Sequence, residues 1–228
     1  HALYWILGEE STVDETFSDA EKTLAQTFLQ GGGCLFASGA ELAWDLDCQG
    51  DASDESFLTN YLKVAYSSDD ANTNYATGKS GSIFEGMGTL FFDNGSNGTY
   101  NVEYPDVFTG KGGAITAMVY GSSASGTGAA VLQYSNTYRT VVMGFPFETI
   151  VSSAFRTSLM SRVLSFFGDA PEEEPVVVIT SSTSVVEYPT SQYALSGTGS
   201  AAVIGAMIWS NMNSQVGGGI EADITWGT

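Results

Sequence analysis

Residues 31–47 constrain the fold more than any other stretch of the chain: Gly31-Gly32-Gly33-Cys34-Leu35-Phe36-Ala37-Ser38-Gly39-Ala40-Glu41-Leu42-Ala43-Trp44-Asp45-Leu46-Asp47. Three glycines stop a preceding helix, because glycine reaches the left-handed cap conformation without a Cβ penalty. Residues 34–37 are a short apolar run of the kind found in a strand covered on both faces. Ser38-Gly39 turns the chain outward, and residues 41–46 have the composition of a new helix. This β-turn-α unit sets Ser38, Glu41 and Asp45 near the carboxyl end of a central strand, where open α/β sheets hold their ligands.

The flanking segments fit the same scheme. Residues 2–7 are continuously apolar and form a first parallel strand, with Gly8-Glu9-Glu10-Ser11 at its carboxyl end. Ser18-Asp19-Ala20-Glu21 is a capping box, and the helix it opens places Ala20, Leu24 and Phe28 on one face. A second short helix closes at Leu62, after an acidic loop, and residues 63–66 form another strand. Residues 67–113 are rich in Gly, Asn, Asp and Ser and are expected to form a β-rich insertion of hairpins. Strand patterns resume at 114–120, 129–134 and 140–144, the last two flanking Ser135-Asn136-Thr137 as a hairpin. Val151, Phe155, Leu159, Val163 and Phe167 recur at steps of four, an amphipathic helix that ends at Gly168. The expected fold class is therefore α/β: a mostly parallel open sheet flanked by helices, with a β-rich insertion.

Residues 169–175, Asp-Ala-Pro-Glu-Glu-Glu-Pro, read as an acidic proline linker between a domain at 1–168 and a β module at 176–228. Short strands at 176–180, 193–196, 206–210 and 222–226 open an all-β sandwich, about four where such a sandwich needs about seven. The module is partial, to be completed by a continuation of the polypeptide or by another chain through strand addition.

Charge narrows the partners. The sequence holds 26 acidic and 7 basic residues, a formal net charge of −19. Such a chain repels nucleic acid and anionic membrane surfaces, and no run approaches the roughly 18 apolar residues of a membrane span. A surface of Ser, Thr, Asn and Gly with scattered carboxylates fits a secreted or cell-surface protein, and the chain reads as a mature or excised piece of a longer polypeptide. The two cysteines, Cys34 and Cys48, bracket the central unit. A strand of about four residues rises about 13 Å and a helix of about nine returns as far, so the sulfurs either meet in a disulfide or pack as two separate thiols.

Several motifs together resemble a known family. They are Trp5-Ile6-Leu7-Gly8-Glu9-Glu10-Ser11, Gly32-Gly33-Cys34-Leu35-Phe36-Ala37-Ser38-Gly39-Ala40-Glu41, Trp44-Asp45-Leu46, Tyr104-Pro105-Asp106 and Gly144-Phe145-Pro146-Phe147-Glu148. On these, residues 1–168 resemble the glutamine-amidotransferase-like α/β domain of large secreted bacterial proteins, often labelled xanthan lyase or cell-wall amidase. Ser196-Gly197-Thr198 and Ile208-Trp209-Ser210 resemble the start of a bacterial immunoglobulin-like module. The resemblance implies an amidotransferase- or flavodoxin-like sheet, a modular extracellular protein and an association with polysaccharide.

Catalysis of the amidotransferase type needs a cysteine at a strand-to-helix elbow and a histidine to deprotonate it. The single histidine is His1, and Cys34 lies within the strand, so that triad is not carried over. Ser38 lacks a base and is expected to cap the Glu41 helix. Glu9, Glu10, Glu41 and Glu148 each follow a strand and are expected to converge on one rim with Ser38 and Asp45. Such carboxylates serve as helix caps, as cation ligands or as an acid-base pair for glycoside hydrolysis. Asp93-Asn94-Gly95-Ser96-Asn97-Gly98 has the look of a calcium loop without its terminal glutamate. Asn94-Gly95-Ser96 and Asn97-Gly98-Thr99 match the glycosylation pattern, and Tyr100, Tyr104 and Phe108 are candidates for a sugar-binding face or for the core.

The function expected from these features is a non-catalytic structural or interaction module of a secreted or cell-surface assembly. Its partners would be other domains or chains, or polysaccharide. No cofactor is expected, with Ca²⁺ the one candidate ion. The alternatives are a carbohydrate-binding accessory domain and a carboxylate-dependent hydrolase.

Overall fold

The computed structural model describes residues 1–168 and four strands of the C-terminal region, Val177–Ile179, Gly197–Gly199, Ile208–Ser210 and Gly218–Ile220. The chain separates into two compact units, His1–Ala170 and Pro171–Thr228. In the second, Val177–Ile179 pairs antiparallel with Gly197–Gly199, and Ile208–Ser210 with Gly218–Ile220. The linker at 169–175 and the strands expected at 193–196 and 222–226 lie outside the described residues.

The first unit starts with β1 (Ala2–Gly8), α1 (Asp19–Gln30) and β2 (Cys34–Gly39). β1 and β2 are parallel in the register Ala2↔Cys34 to Ile6↔Ser38. A π-helical turn (Trp44–Gln49), α2 (Ala52–Phe57) and a second π-helical turn (Leu58–Leu62) then lead to β3 (Val64–Ser68). Six strands follow: β4 (Tyr75–Gly78), β5 (Thr89–Phe91), β6 (Val107–Gly110), β7 (Ile115–Tyr120), β8 (Ala129–Ser135) and β9 (Arg139–Met143). The unit closes with a 3₁₀ turn (Phe147–Thr149) and α3 (Ser153–Phe167).

These nine strands form one mixed sheet, and this overturns the expectation of a mostly parallel open sheet flanked by helices. Seven strands run in the order β1-β2-β9-β8-β7-β4-β5, while β6 joins β8 and carries β3. Only β1–β2 and β2–β9 are parallel; the other pairings are antiparallel. Connection length is the reason. A parallel neighbour needs a crossover of a dozen or more residues, usually a helix, and α1 supplies one between β1 and β2. Between β7 and β9 the links, Tyr120 to Ala129 and Ser135 to Arg139, are loops without a crossover helix, and they return the chain as antiparallel neighbours. The expected hairpin around Asn136 is one of these links.

Both faces of β2 are covered, as its apolar run requires, and all six of its residues are buried. Successive strand residues point to opposite faces, so Cys34 and Phe36 enter one hydrophobic cluster with Leu159, Val163 and Phe167 of α3. Leu35 and Ala37 enter the other, with Ala25 and Leu29 of α1 and Phe57 of α2. Gly33 lets the Phe28 ring lie over the backbone: a Cβ there would come 2.4 Å from the ring and make it shift. α1 opens on the expected capping box, the Glu21 carboxylate accepting from Ser18 N–H at 2.9 Å and from its hydroxyl at 2.7 Å. Its inward face is a correction. Lys22, Ala25 and Leu29 are buried, while Leu24 is 70 % exposed: Ala25 and Leu29 pack into the α1-side cluster, and Lys22 on the same face pairs with the carboxylates of Asp54 and the exposed Asp19.

The cysteines are not joined: both are free, Cys34 buried and Cys48 exposed. Cys34 points into the α3-side cluster, whereas the turn carrying Cys48 buries Leu46 in the α1-side cluster. The sheet stands between the two sulfurs. No helix among the described residues is long and apolar enough to cross a membrane.

Candidate functional site

β1, β2 and β9 run parallel, so their carboxyl ends open onto one edge of the sheet. Gly8 ends β1 with φ +62, a conformation that favours glycine, and its carbonyl accepts from Ala40 N–H at 3.0 Å. Glu9 directly follows β1, Glu41 lies in the turn after β2, and Glu148 lies in the 3₁₀ turn after β9. A Cβ on Gly8 would lie 3.3 Å from Glu148 Oε1 and 3.4 Å from the Tyr100 hydroxyl, so glycine lets these groups approach.

The rim is built from four carboxylates and two hydroxyls. Tyr100 Oη donates to Glu148 Oε1 at 2.5 Å, and Ser11 Oγ donates to Glu41 Oε2. Glu148 Oε2 is buried without a hydrogen-bond partner. Burial, then the charges of Glu103, Glu148 and Glu41, push the Glu9 carboxyl above its ordinary value. Burial and the bond to Glu148 push the Tyr100 hydroxyl far above the usual tyrosine range, which keeps it a donor.

Three of the six residues expected at the rim are therefore brought together: Glu9, Glu41 and Glu148. The other three are used elsewhere. Glu10 faces a separate cleft of about 410 Å³ beside Trp5 and Ile6, with Asp14, Glu15 and Glu21; burial and the charges of Asp14 and Glu21 push its carboxyl up as well. Asp45 Oδ2 accepts from the backbone N–H of Thr16 at 2.9 Å and from its hydroxyl at 2.7 Å, which pins the β1–α1 loop. Ser38 does not cap the following helical turn. It is fully buried, and its hydroxyl accepts from Phe147 N–H at 3.3 Å.

The cap of that turn comes from a distant residue. Asp106 Oδ2 accepts from Ala43 N–H at 2.6 Å and Trp44 N–H at 3.1 Å. Sequence reasoning assigned no role to Asp106, to Ser11 or to Glu103. Capping motifs are recognised by local spacing, and Asp106 lies 63 residues from the amide it caps. Only the Tyr104-Pro105-Asp106 motif marked the position.

The calcium-like run is a self-contained turn. The Asp93 carboxylate accepts from the backbone N–H groups of Ser96, Asn97 and Thr99, and also from the Asn97 amide and Thr99 hydroxyl. Both oxygens are occupied by the loop's own donors. Among the described residues no group of three or more His, Cys, Asp or Glu side chains is arranged to hold a metal ion. The aromatic side chains do not share a face: Phe108 is core, Tyr100 is half-buried on Glu148 and Tyr104 is 50 % exposed with φ +51.

No family model and no curated protein matches this sequence. Among solved structures the fold is similar to part of a β-galactosidase from Rahnella sp. R3, with 13% identity and a TM-score of 0.47, covering 78% of this chain and 25% of that one. It is also similar to the mmIFT52 N-terminal domain, with 15% identity and a TM-score of 0.45, covering 67% of this chain and 72% of that one. Neither likeness carries a conclusion about activity.

Proposed function

We propose that this chain is a non-catalytic structural or interaction module of a large secreted or cell-surface protein, in the manner of the amidotransferase-like domains its motifs resemble. Its partners are other domains or chains of an extracellular assembly, met through the carboxylate rim. One observation carries this reading: Glu9, Glu41, Glu103 and Glu148 gather at the strand ends without a nucleophile-base pair among them. Ser38 is buried against Phe147 N–H, and the Cys34 thiol faces the Phe167 carbonyl at the other end of β2. A rim of that charge complements cationic side chains of a partner, a contact that steers association more than it adds affinity.

A carboxylate-dependent hydrolase is the second reading, favoured by the raised Glu9 carboxyl beside Glu41 and Glu148. A carboxyl with a raised pKa beside a second carboxylate is one half of the acid-base pattern of glycosidases.

One set of measurements separates the two. The parent protein, Glu148→Gln and Glu41→Gln are tested for turnover of chromogenic glycosides, retention on polysaccharide gels and binding of an oligolysine peptide, with Glu10→Gln as the control outside the rim. The module reading expects no turnover, and oligolysine binding weakened by the two rim variants but not by the control. Turnover abolished by Glu148→Gln establishes the hydrolase instead. Retention on a polysaccharide gel would make the domain a carbohydrate-binding one.

A further inference from the structure

Asp106, the residue before β6, is fully buried. It ties three parts of the domain together. Oδ2 accepts from the N–H groups of Ala43 and Trp44, its own N–H donates to the Ala40 carbonyl at 2.9 Å, and its carbonyl accepts from the Tyr120 hydroxyl at 2.9 Å. The segment it holds, 40–44, carries Glu41 of the rim. Oδ1 has no hydrogen-bond partner. The groups that face it electrostatically are Asp69 after β3, Glu41 after β2, Tyr120 on β7, Cys48 on the π-helical turn and Tyr66 on β3; none is a cation.

An ionised Asp106 would leave a bare oxygen desolvated and two carboxylates repelling it. The two helix N–H donors offset part of that cost, but they reach only Oδ2. A proton on Oδ1 removes the repulsion, reduces the desolvation cost from that of a charge to that of a neutral hydroxyl, and leaves Oδ2 to accept from Ala43 and Trp44.

We propose that Asp106 keeps its proton in the folded domain well beyond the pH at which an exposed aspartate releases it, and acts as a pH-sensitive clasp between the loop before β6 and the Glu41 segment. When the proton is lost, the bonds from Ala43 and Trp44 to Oδ2 become charge-assisted, but the bare Oδ1 is relieved only by water entering that junction, so the folded domain as a whole loses stability. The inference stands independently of what the rim binds.

Burial, outweighing the bonds from Trp44 and Ala43, pushes the Asp106 carboxyl well above its ordinary 3.8, which fits the geometry. The sign follows from linkage. The folded state keeps the proton at pH values where the unfolded chain has released it, so stability falls as pH rises from about 4 to the folded pKa and is flat beyond it.

Two measurements test the clasp. In the parent protein, a ¹³C NMR titration of the Asp106 carboxyl is expected to show a midpoint at least about 2 units above that of an ordinary aspartate. Asp106→Asn keeps an acceptor toward those amides and cannot ionise. Relative to the parent its Tm should rise by about 4 °C or more between about pH 5 and pH 8. An NMR midpoint less than about 2 units above that of an ordinary aspartate overturns the proposal, whether or not the variant folds. So does an identical dependence of Tm on pH in parent and variant.

Discussion

The Tyr100 hydroxyl donates to Glu148 Oε1 at 2.5 Å, while Glu148 Oε2 is buried with no hydrogen-bond partner. One phenol from the loop after β5 thus partners one oxygen of a carboxylate delivered by the turn after β9. Tyr100→Phe leaves both oxygens without a partner, and an unmet polar group of this kind costs about 1–3 kcal/mol. Urea unfolding of Tyr100→Phe should show that loss, and Tyr100→Phe/Glu148→Gln should recover part of it. A loss below about 0.3 kcal/mol, within the scatter of ordinary surface substitutions, would mean the bond contributes nothing.

Lys22 is a buried lysine at the junction of α1 and α2, its side chain 7% exposed. Burial disfavours the charged amine, but hydrogen bonds to Asp54 and Asp19 outweigh burial and hold its pKa above the ordinary 10.5. Its contribution is fully present below about pH 10 and is lost as pH rises through the folded pKa. Lys22→Met keeps the stem and strands Asp54. A cost of about 2 kcal/mol is expected at pH 7, less than for a fully enclosed pair because Asp54 retains some solvent. Equal stability of variant and parent in guanidinium titration would show that methionine packing compensates for the lost charge.

Asp93 should matter in acid. Burial alone would raise its carboxyl, but the bonds from Thr99 and Asn97 hold it well below the ordinary 3.8. Stability from Asp93 is therefore complete above about pH 4 and lost as pH falls toward the folded value. Asp93→Asn should melt below the parent at pH 6, and the gap should hold down to about pH 4 and narrow from there toward about pH 2.5. A gap that stays constant over that range would separate the loop's stability from the carboxylate charge.

The two cysteines should titrate as free thiols. A thiol reagent is expected to find Cys48 in the native protein and both Cys34 and Cys48 after unfolding, and a reductant should leave Tm unchanged. Burial, then the charge of Asp47, pushes the Cys48 thiol above its ordinary value, so its native reaction should be slow at pH 7 and quicken toward pH 9. Absence of any thiol in the unfolded protein would restore the disulfide.

The local pattern of the sequence determined the central unit. Glycines at 31–33, the apolar run at 34–37 and the turn at Ser38-Gly39 dictate a strand covered on both sides, whatever surrounds it. The capping box of α1 and the 135–137 hairpin are equally local, because each rests on spacing within a few residues. The same holds for placing Glu9, Glu41 and Glu148 after strands, although their meeting required those strands to be parallel neighbours.

Tertiary structure decided everything that depends on which strands become neighbours. Strand direction between β3 and β9 followed connection length and the packing of the insertion, so a sheet expected to be mostly parallel is mostly antiparallel. Which side of the sheet a side chain enters separated Cys34 from Cys48 and turned Lys22 inward in place of Leu24. Contacts across long stretches of chain assigned Ser38 to Phe147, Asp45 to Thr16, and Asp106 to the amides of Ala43 and Trp44. Such hydrogen bonds leave no periodicity in the sequence, because the partner of a buried polar group is fixed by the geometry of the finished core rather than by its neighbours along the chain.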